Sequence, residues 1–317
     1  MQRPIWLLSL DSDTFPAAPM TTGGLKAYYQ ELGKNPAQVD IQLVHFVNHP
    51  EKIPQWLEQW QKDELPRARE AIAAGLQPVM GFSVYTWNAA EFLDLMREVK
   101  ALCPDILIVA GGPHVQKARD YLFSEAVDII VLGEGEATFT DFLDAGSREA
   151  WHDVAGLAFV ENGELVTTAE RPRFRNLNEL PSPLNVISLL DSEGEPYDCI
   201  AYETSRGCPY KCAFCEWGTG AIGTKMLSFS VERIRHDWNY IVDAGIKNMR
   251  DQTAHRPAQH LCDLLVEEAR LALTGNRLAA ASEQPAAALP PRAANPDAAG
   301  AGAVSSHQYG CQQVRAY

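Results

Sequence analysis

The chain has 317 residues, of which 46% are hydrophobic, and its formal net charge is −14 at pH 7. This length and composition predict two domains with ordinary hydrophobic cores. The acidic balance argues against nucleic-acid binding, and the lack of a long apolar run argues against a membrane span. Three of the seven cysteines lie in one short segment, which indicates reduced thiols that bind a metal, and therefore a cytoplasmic protein, rather than a disulfide framework.

Residues 1–145 alternate between patterns typical of strands and patterns typical of helices. Strands are predicted at 5–10, 39–47, 78–84, 106–110 and 127–132, and helices at 24–32, 53–74, 89–102 and 137–143. Five strands separated by helices predict an α/β domain with a doubly wound, Rossmann-like parallel sheet. Ligands of such sheets bind at the carboxyl ends of the strands.

Three of the predicted strand ends carry small or polar residues. They are Ser83 and Thr86, then Gly111 and Gly112, then Gly133, Glu134 and Gly135. Glycine lets the backbone approach a bulky ligand or form a tight turn, and each segment taken singly is explained by a turn. Together they resemble the cobalamin-binding domain that precedes some radical S-adenosylmethionine (SAM) enzymes. The resemblance implies that the loop with Ser83 and Thr86 and the loop with Gly111 and Gly112 surround the nucleotide tail of cobalamin. It also implies that Gly133, Glu134 and Gly135 belong to the same cofactor site.

The sequence departs from one pattern known in such domains. Mutase-type cobalamin domains place a histidine beneath cobalt in an Asp-x-His-x-x-Gly motif, and the chain has no such motif. The resemblance therefore implies a cobalt without a histidine from that motif. His45, His49 and His114 are candidates only by default, and each is predicted to be a surface or turn residue.

Residues 146–195 are predicted to connect two domains. Possible strands at 155–160 and 164–168 flank Asn162 and Gly163, which is a hairpin signal, and 171–190 is predicted to be irregular. Residues 196–250 begin a second domain, with a strand at 198–204, a helix at 231–244 and a strand from 246. The cysteine segment follows the first of these strands, where a β/α barrel places its chemistry.

Cys208, Cys212 and Cys215 have the spacing C-x3-C-x2-C. Iron–sulfur clusters are usually held by four cysteines, so three would leave one iron with an open coordination position. A zinc site would need a second pair of ligands farther along the chain. A ferredoxin-type cluster would need a fourth cysteine, and neither Cys199 nor Cys262 is well placed.

The cysteine spacing, with Phe214 directly before the third cysteine, resembles the radical SAM superfamily. The resemblance implies that the three cysteines hold a 4Fe-4S cluster, that SAM binds the fourth iron with its adenine near Phe214, and that SAM is cleaved reductively. It implies a cobalamin-dependent methyltransferase, or a related radical enzyme, that acts on an unactivated carbon of a small-molecule or natural-product substrate. An electron donor such as flavodoxin or ferredoxin is expected as a partner.

Two other readings of the same residues stay open. One is a non-catalytic remnant that binds a corrinoid and an iron–sulfur cluster. The other is a zinc-stapled α/β protein. The end of the chain has a different composition. Residues 251–317 are rich in alanine and proline, which predicts disorder. A barrel would need on the order of a hundred further residues after the cysteine segment, so we expect an incomplete partial TIM-type barrel and a chain truncated or frame-shifted after about Met249.

Overall fold

The computed structural model describes residues 1–11, 17–46, 49–115, 118–124, 126–191, 194–208, 225–246 and 248–251. Its strands are β1 (Arg3–Leu10), β2 (Val39–Phe46), β3 (Val79–Ser83), β4 (Leu107–Gly111), β5 (Ile129–Val131), β6 (Leu157–Glu161), β7 (Glu164–Thr167), β8 (Cys199–Tyr202), β9 (Ser205–Arg206), β10 (Leu227–Ser228) and β11 (Asn248–Asp251). Its α-helices are α1 (Met20–Leu32), α2 (Lys52–Ala73), α3 (Ala89–Leu102), α4 (Ala118–Leu122), α5 (Gly135–Ala145) and α6 (Val231–Asp243). The short helix α4 was not predicted from the sequence.

The first five strands form a parallel sheet in the order β2-β1-β3-β4-β5. The predicted doubly wound parallel sheet is therefore confirmed. β1 has β2 on one side and β3 on the other, so the direction in which successive strands are added to the sheet reverses after β2. Because the connecting loops diverge at this reversal, a crevice is expected at the carboxyl ends of β1 and β3.

Apolar side chains cover both faces of the parallel sheet. Alternate residues of β1 divide between the two faces, with Trp6 in the core under α2 and α3 and Leu7 in the core under α1 and α5. Trp60 of α2 packs edge-on against Trp6, at 5.5 Å between ring centroids. Burial on both faces explains why the central strands are almost continuously apolar in sequence.

The predicted hairpin extends this sheet. β6 pairs antiparallel with β5, and β7 pairs antiparallel with β6, so the sheet has seven strands. Asn162 and Gly163 have φ angles of 52° and 80° and form a tight two-residue turn of the kind that suits a twisted hairpin. The sheet thus continues beyond residue 145, and the hairpin covers the edge that β5 would otherwise expose.

The second unit begins with a βαβ arrangement. β8 and β11 pair in parallel, and α6 lies between them in sequence, which is the arrangement expected at the start of a β/α barrel. Ile200 of β8 packs with Trp238 and Ile241 of α6 and with Leu184 of the connector. The connector therefore contributes to this core. Residues 252–317 lie outside the described residues, so the incomplete barrel and the disordered tail stay predictions.

A buried acidic side chain joins the elements of the second unit. The Asp237 side chain is 2% exposed and accepts hydrogen bonds from the Tyr202 hydroxyl at 2.9 Å and from Arg233 Nε at 2.8 Å. Arg233 also donates to the Leu180 carbonyl at 2.9 Å. Asp237 thereby ties α6 to β8 and, through Arg233, to the connector.

No described helix is long and apolar enough to cross a membrane.

The Asp237→Asn variant is expected to destabilise the protein by about 2 kcal/mol, because it removes the charge from two hydrogen bonds to a buried carboxylate. The measurement is urea unfolding followed by circular dichroism. Asp243→Asn, at the exposed end of the same helix, is the matched control and should change stability by less than about 0.5 kcal/mol. Equal stabilities of the two variants would contradict the role given to Asp237.

Candidate functional site

The loop that follows β3 is tied back to the end of β1. Asn88 is fully buried, and its side chain accepts from the Tyr85 backbone N–H at 2.8 Å and donates to the Leu10 carbonyl at 3.0 Å. Trp87 Nε1 donates to the same carbonyl at 2.9 Å. Thr86 is left exposed at the tip of this loop. The loop is therefore fixed at the reversal of the sheet, where a ligand crevice is expected.

Two aromatic residues of this loop were not singled out from the sequence. The rings of Tyr85 and Trp87 stack at 4.5 Å with an interplanar angle of 14°. Burial raises the pKa of the Tyr85 hydroxyl, although hydrogen bonds with Thr21 and Ser83 act in the opposite direction. The signal that could have found them is a pair of aromatic residues at i and i+2 in a loop that leaves a strand end.

The Gly-Gly turn after β4 holds the loop of the neighbouring strand. The Gly111 carbonyl accepts from the Val84 N–H at 2.8 Å. Gly112 has a φ of 107°, and a Cβ there would lie 2.6 Å from the Val84 carbonyl oxygen. A Cβ on Gly111 would meet Val131 at an ordinary 3.6 Å. Gly112 is therefore required by the close approach of two loops, whether or not a ligand binds there.

The turn after β5 has the open backbone that a ligand needs. Gly133 has a φ of 74°, and a Cβ there would have nothing within 4 Å. Gly135 begins α5 and lies beside Leu25, whose Cδ2 would be 3.3 Å from a Cβ. Of the predicted glycines, Gly133 is thus the one that combines a left-handed backbone with free space.

Glu134 contacts other parts of the chain. Its carboxylate accepts from the Phe174 backbone N–H at 2.9 Å and lies 3.3 Å from nitrogen atoms of both Arg173 and Arg206. These three partners belong to the connector and to the second unit. The structure therefore places Glu134 between the two units, where its role as a cobalamin contact stays a prediction.

The prediction that His45 is a surface or turn residue was wrong. His45 lies on β2 with a side chain that is 6% exposed, and its ring nitrogens contact the Ser9 hydroxyl and the Ala17 carbonyl, each at 2.8 Å. The residue is buried because β2 packs beside β1 and the start of α1. Since both nitrogens have partners, His45 does not offer a free metal ligand. The other two candidates are exposed, as predicted: His49 and His114.

The residues on either side of the cysteine segment, 204–208 and 225–229, form a narrow neck. β9 pairs antiparallel with β10, so that Arg206 lies opposite Leu227. Gly207, with a φ of 101°, follows, and a Cβ there would collide with the Lys225 carbonyl across the neck. Cys208 is buried immediately beyond it. Cys208, the first predicted cluster ligand, thus lies at one end of the neck.

The other residues predicted to bind the cluster and SAM cannot be placed in the same way. They lie outside the described residues: Cys212, Phe214 and Cys215. Within the described ranges, no group of three histidine, cysteine or acidic residues is close enough to hold a metal ion. The ligand assignment therefore rests on Cys208 and on the sequence spacing.

Arg206 links the neck to the turn after β5. Its Nη2 lies 2.8 Å from Glu136 and 2.9 Å from Glu203, and its Nη1 lies 3.3 Å from Glu134. Burial alone would raise the pKa of the Glu136 carboxyl, but the Arg206 guanidinium holds that pKa below its ordinary value. Burial opposes the charge of Arg206, yet the surrounding glutamates raise its pKa well above the ordinary value.

Comparison with known proteins accounts for the first unit. The B12 binding domain family matches residues 58–143, a range that contains every strand-end segment predicted to bind cobalamin. The chain therefore carries a B12-binding domain. This assignment agrees with the order of the parallel strands.

The relatives include two named methyltransferases. The chain is 26% identical over 260 residues to the cobalamin-dependent radical SAM methyltransferase TokK of Streptomyces tokunonensis. It is 27% identical over 261 residues to the 2-(S-pantetheinyl)-carbapenam-3-carboxylate methyltransferase of Streptantibioticus cattleyicolor. Each match covers 78% of this chain and 35% of the relative. The chain thus spans about a third of the length of these relatives.

A third relative is named for a different activity. The chain is 31% identical over 184 residues to the anaerobic magnesium-protoporphyrin IX monomethyl ester cyclase of Cereibacter sphaeroides. This match covers 55% of the chain and 28% of that protein. All three of these relatives are named as enzymes, but the reactions in their names differ.

The Gly112→Ala variant is expected to lose at least about 2 kcal/mol of stability, because an L side chain is strained at this φ and its Cβ would meet the Val84 carbonyl. The measurement is again urea unfolding. Gly24→Ala is the matched control, since Gly24 lies inside α1 with nothing within 4 Å of its Cβ position, and it should stabilise the helix by up to about 1 kcal/mol. A neutral Gly112→Ala variant would contradict the loop contact.

The stabilising contribution of Glu136 is expected to depend on pH. A carboxyl whose pKa is lower in the folded chain adds stability above its unfolded pKa, and this contribution disappears as the pH falls through the folded pKa. Unfolding free energies at pH 7 and near pH 4 should therefore show a gap between wild type and Glu136→Gln that shrinks on acidification. The exposed Glu31→Gln is the control, and a gap that widens at low pH would contradict the assignment.

Proposed function

We propose that the chain provides the cofactor-binding part of a cobalamin-dependent radical SAM enzyme that transfers a methyl group, or carries out related radical chemistry, at an unactivated carbon. The observation that carries the proposal is the C-x3-C-x2-C segment, which leaves a strand end beside a B12-binding domain. When bound, a 4Fe-4S cluster supplies the electron that cleaves SAM, and cobalamin supplies a methyl carrier. The names of two relatives support methyl transfer.

The described residues fit a bound corrinoid at the carboxyl edge of the parallel sheet. Gly133 presents open backbone, and Thr86 presents an exposed hydroxyl on a loop whose base is fixed by Asn88. Ser83 is buried at the end of β3 and fixes the start of that loop. These residues would hold the nucleotide tail. No histidine with a free ring nitrogen is needed for this role.

The neck of the cysteine segment fits the role of a cluster support. Cys208 is buried, which keeps water from its sulfur, and Gly207 allows the two sides of the neck to approach. We propose Cys212 and Cys215 as the other two ligands and Phe214 as the residue near the adenine of SAM. The carbapenam substrate in one relative's name supports a small natural-product substrate, and flavodoxin or ferredoxin would supply electrons.

Anaerobic reconstitution with iron and sulfide is expected to give a broad absorbance near about 400 nm, as iron–sulfur chromophores do. The triple variant Cys208→Ala, Cys212→Ala, Cys215→Ala should lose this absorbance. Cys199→Ala, which changes a buried cysteine of β8, is the matched control and should keep it. Retention of the full absorbance by the triple variant would refute the ligand assignment.

An assay of SAM cleavage separates the enzyme from a binding remnant. Under strongly reducing conditions, the reconstituted wild type is expected to release 5′-deoxyadenosine, and the triple cysteine variant is expected to release none. A wild type that binds both a cluster and a corrinoid without cleaving SAM would support the non-catalytic alternative.

A further inference from the structure

We propose that Arg206 couples the corrinoid-binding edge to the neck of the cysteine segment, so that a corrinoid bound at the edge orders the neck. The inference rests on the proposed function and adds a regulatory link to it. Arg206 is a positioning residue in this account. It is two residues before Cys208, and its partners Glu134 and Glu136 lie one and three residues after Gly133.

The two ends of this link belong to segments that should respond to a ligand. Gly133 is the open glycine of the corrinoid-binding edge, so a ligand that contacts its backbone would also fix Glu134, which follows it, and Glu136 in the first turn of α5. Arg206 forms one strand of the neck and pairs with Leu227. A shift or an ordering of the turn is therefore transmitted to the neck through ion pairs about 3 Å long.

A second cation connects the same turn to the other side of the neck. Arg173 Nη2 lies 3.3 Å from Glu134, and Arg173 Nη1 lies 3.4 Å from the Lys225 carbonyl. Glu134 thus contacts Arg206 on the outgoing side of the neck and, through Arg173, Lys225 on the returning side. Both sides of the neck are tied to one turn of the B12-binding domain.

Arg206 can exchange partners without losing its charge compensation. Its Nη2 is shared between Glu136 of the first unit, at 2.8 Å, and Glu203 of its own segment, at 2.9 Å. When Glu136 moves away, Glu203 still pairs with the guanidinium, so no buried cation is left uncompensated. The pairs with Glu134 and Glu136 cross between the units and carry the coupling, whereas the pair with Glu203 lies within one segment.

Hydrogen–deuterium exchange of the full chain tests the coupling with hydroxocobalamin as the probe and without a cluster. Saturating hydroxocobalamin is expected to slow exchange in the wild-type peptides 204–208 and 225–229 about tenfold, a usual size for coupling between sites. In Glu136→Gln the slowing should fall below about twofold while hydroxocobalamin still binds. Glu203→Gln, which changes the contact within one segment, is the matched control and should keep the slowing.

Each result decides between the two proposals. Binding of hydroxocobalamin to wild type without slower exchange at the neck would overturn the coupling and leave the proposed function intact. An absence of binding would overturn the corrinoid assignment and the coupling with it. If Glu136→Gln and Glu203→Gln lose the slowing of exchange equally, Arg206 has only a structural role and the coupling is overturned. If Glu136→Gln is poorly folded, Glu136→Asp replaces it and should retain part of the slowing.

Discussion

The Arg206 guanidinium must be compensated where it is buried, and this requirement brings the two units of the described chain together. Its carboxylate partners come from the turn after β5 and from the segment that precedes Cys208. A buried cation without such partners would be costly, so the pairs restrict how the B12-binding domain and the neck can sit against each other. A corrinoid at the sheet edge and a cluster at the neck would consequently share one boundary.

The strand ends that frame this boundary have different physical roles although they look alike in sequence. Gly112 allows two loops to touch, Gly133 leaves backbone open, and Glu134 holds cations of the connector and second unit. Around them, Asn88 anchors the loop after β3 to the end of β1. At this edge, hydrogen bonds and close backbone contacts hold the loops after β3 and β4, while the backbone at Gly133 stays accessible. Such an arrangement suits a large planar cofactor.

Much of the fold could be predicted from local patterns, because the central strands are buried on both faces and α3 has clear amphipathic spacing. The prediction for α3 matches its bounds, Ala89–Leu102. The pairing of the hairpin with β5, the burial of His45 and the partners of Glu134 could not be predicted. Each depends on contacts between distant positions, such as Glu134 with Arg206, that no local pattern encodes. The role of the cysteine segment stays a prediction, because Cys212 and Cys215 lie outside the described residues.

The proposed enzyme requires one chain to hold a cobalamin and a three-cysteine iron–sulfur cluster side by side. The most direct test is the metal, sulfide and corrinoid content of the full chain, purified without oxygen and reconstituted with iron, sulfide and hydroxocobalamin. The account predicts about four iron and four sulfide ions per chain, together with one corrinoid. Stoichiometric zinc without sulfide, and no retained corrinoid, would contradict it and favour a zinc-stapled protein.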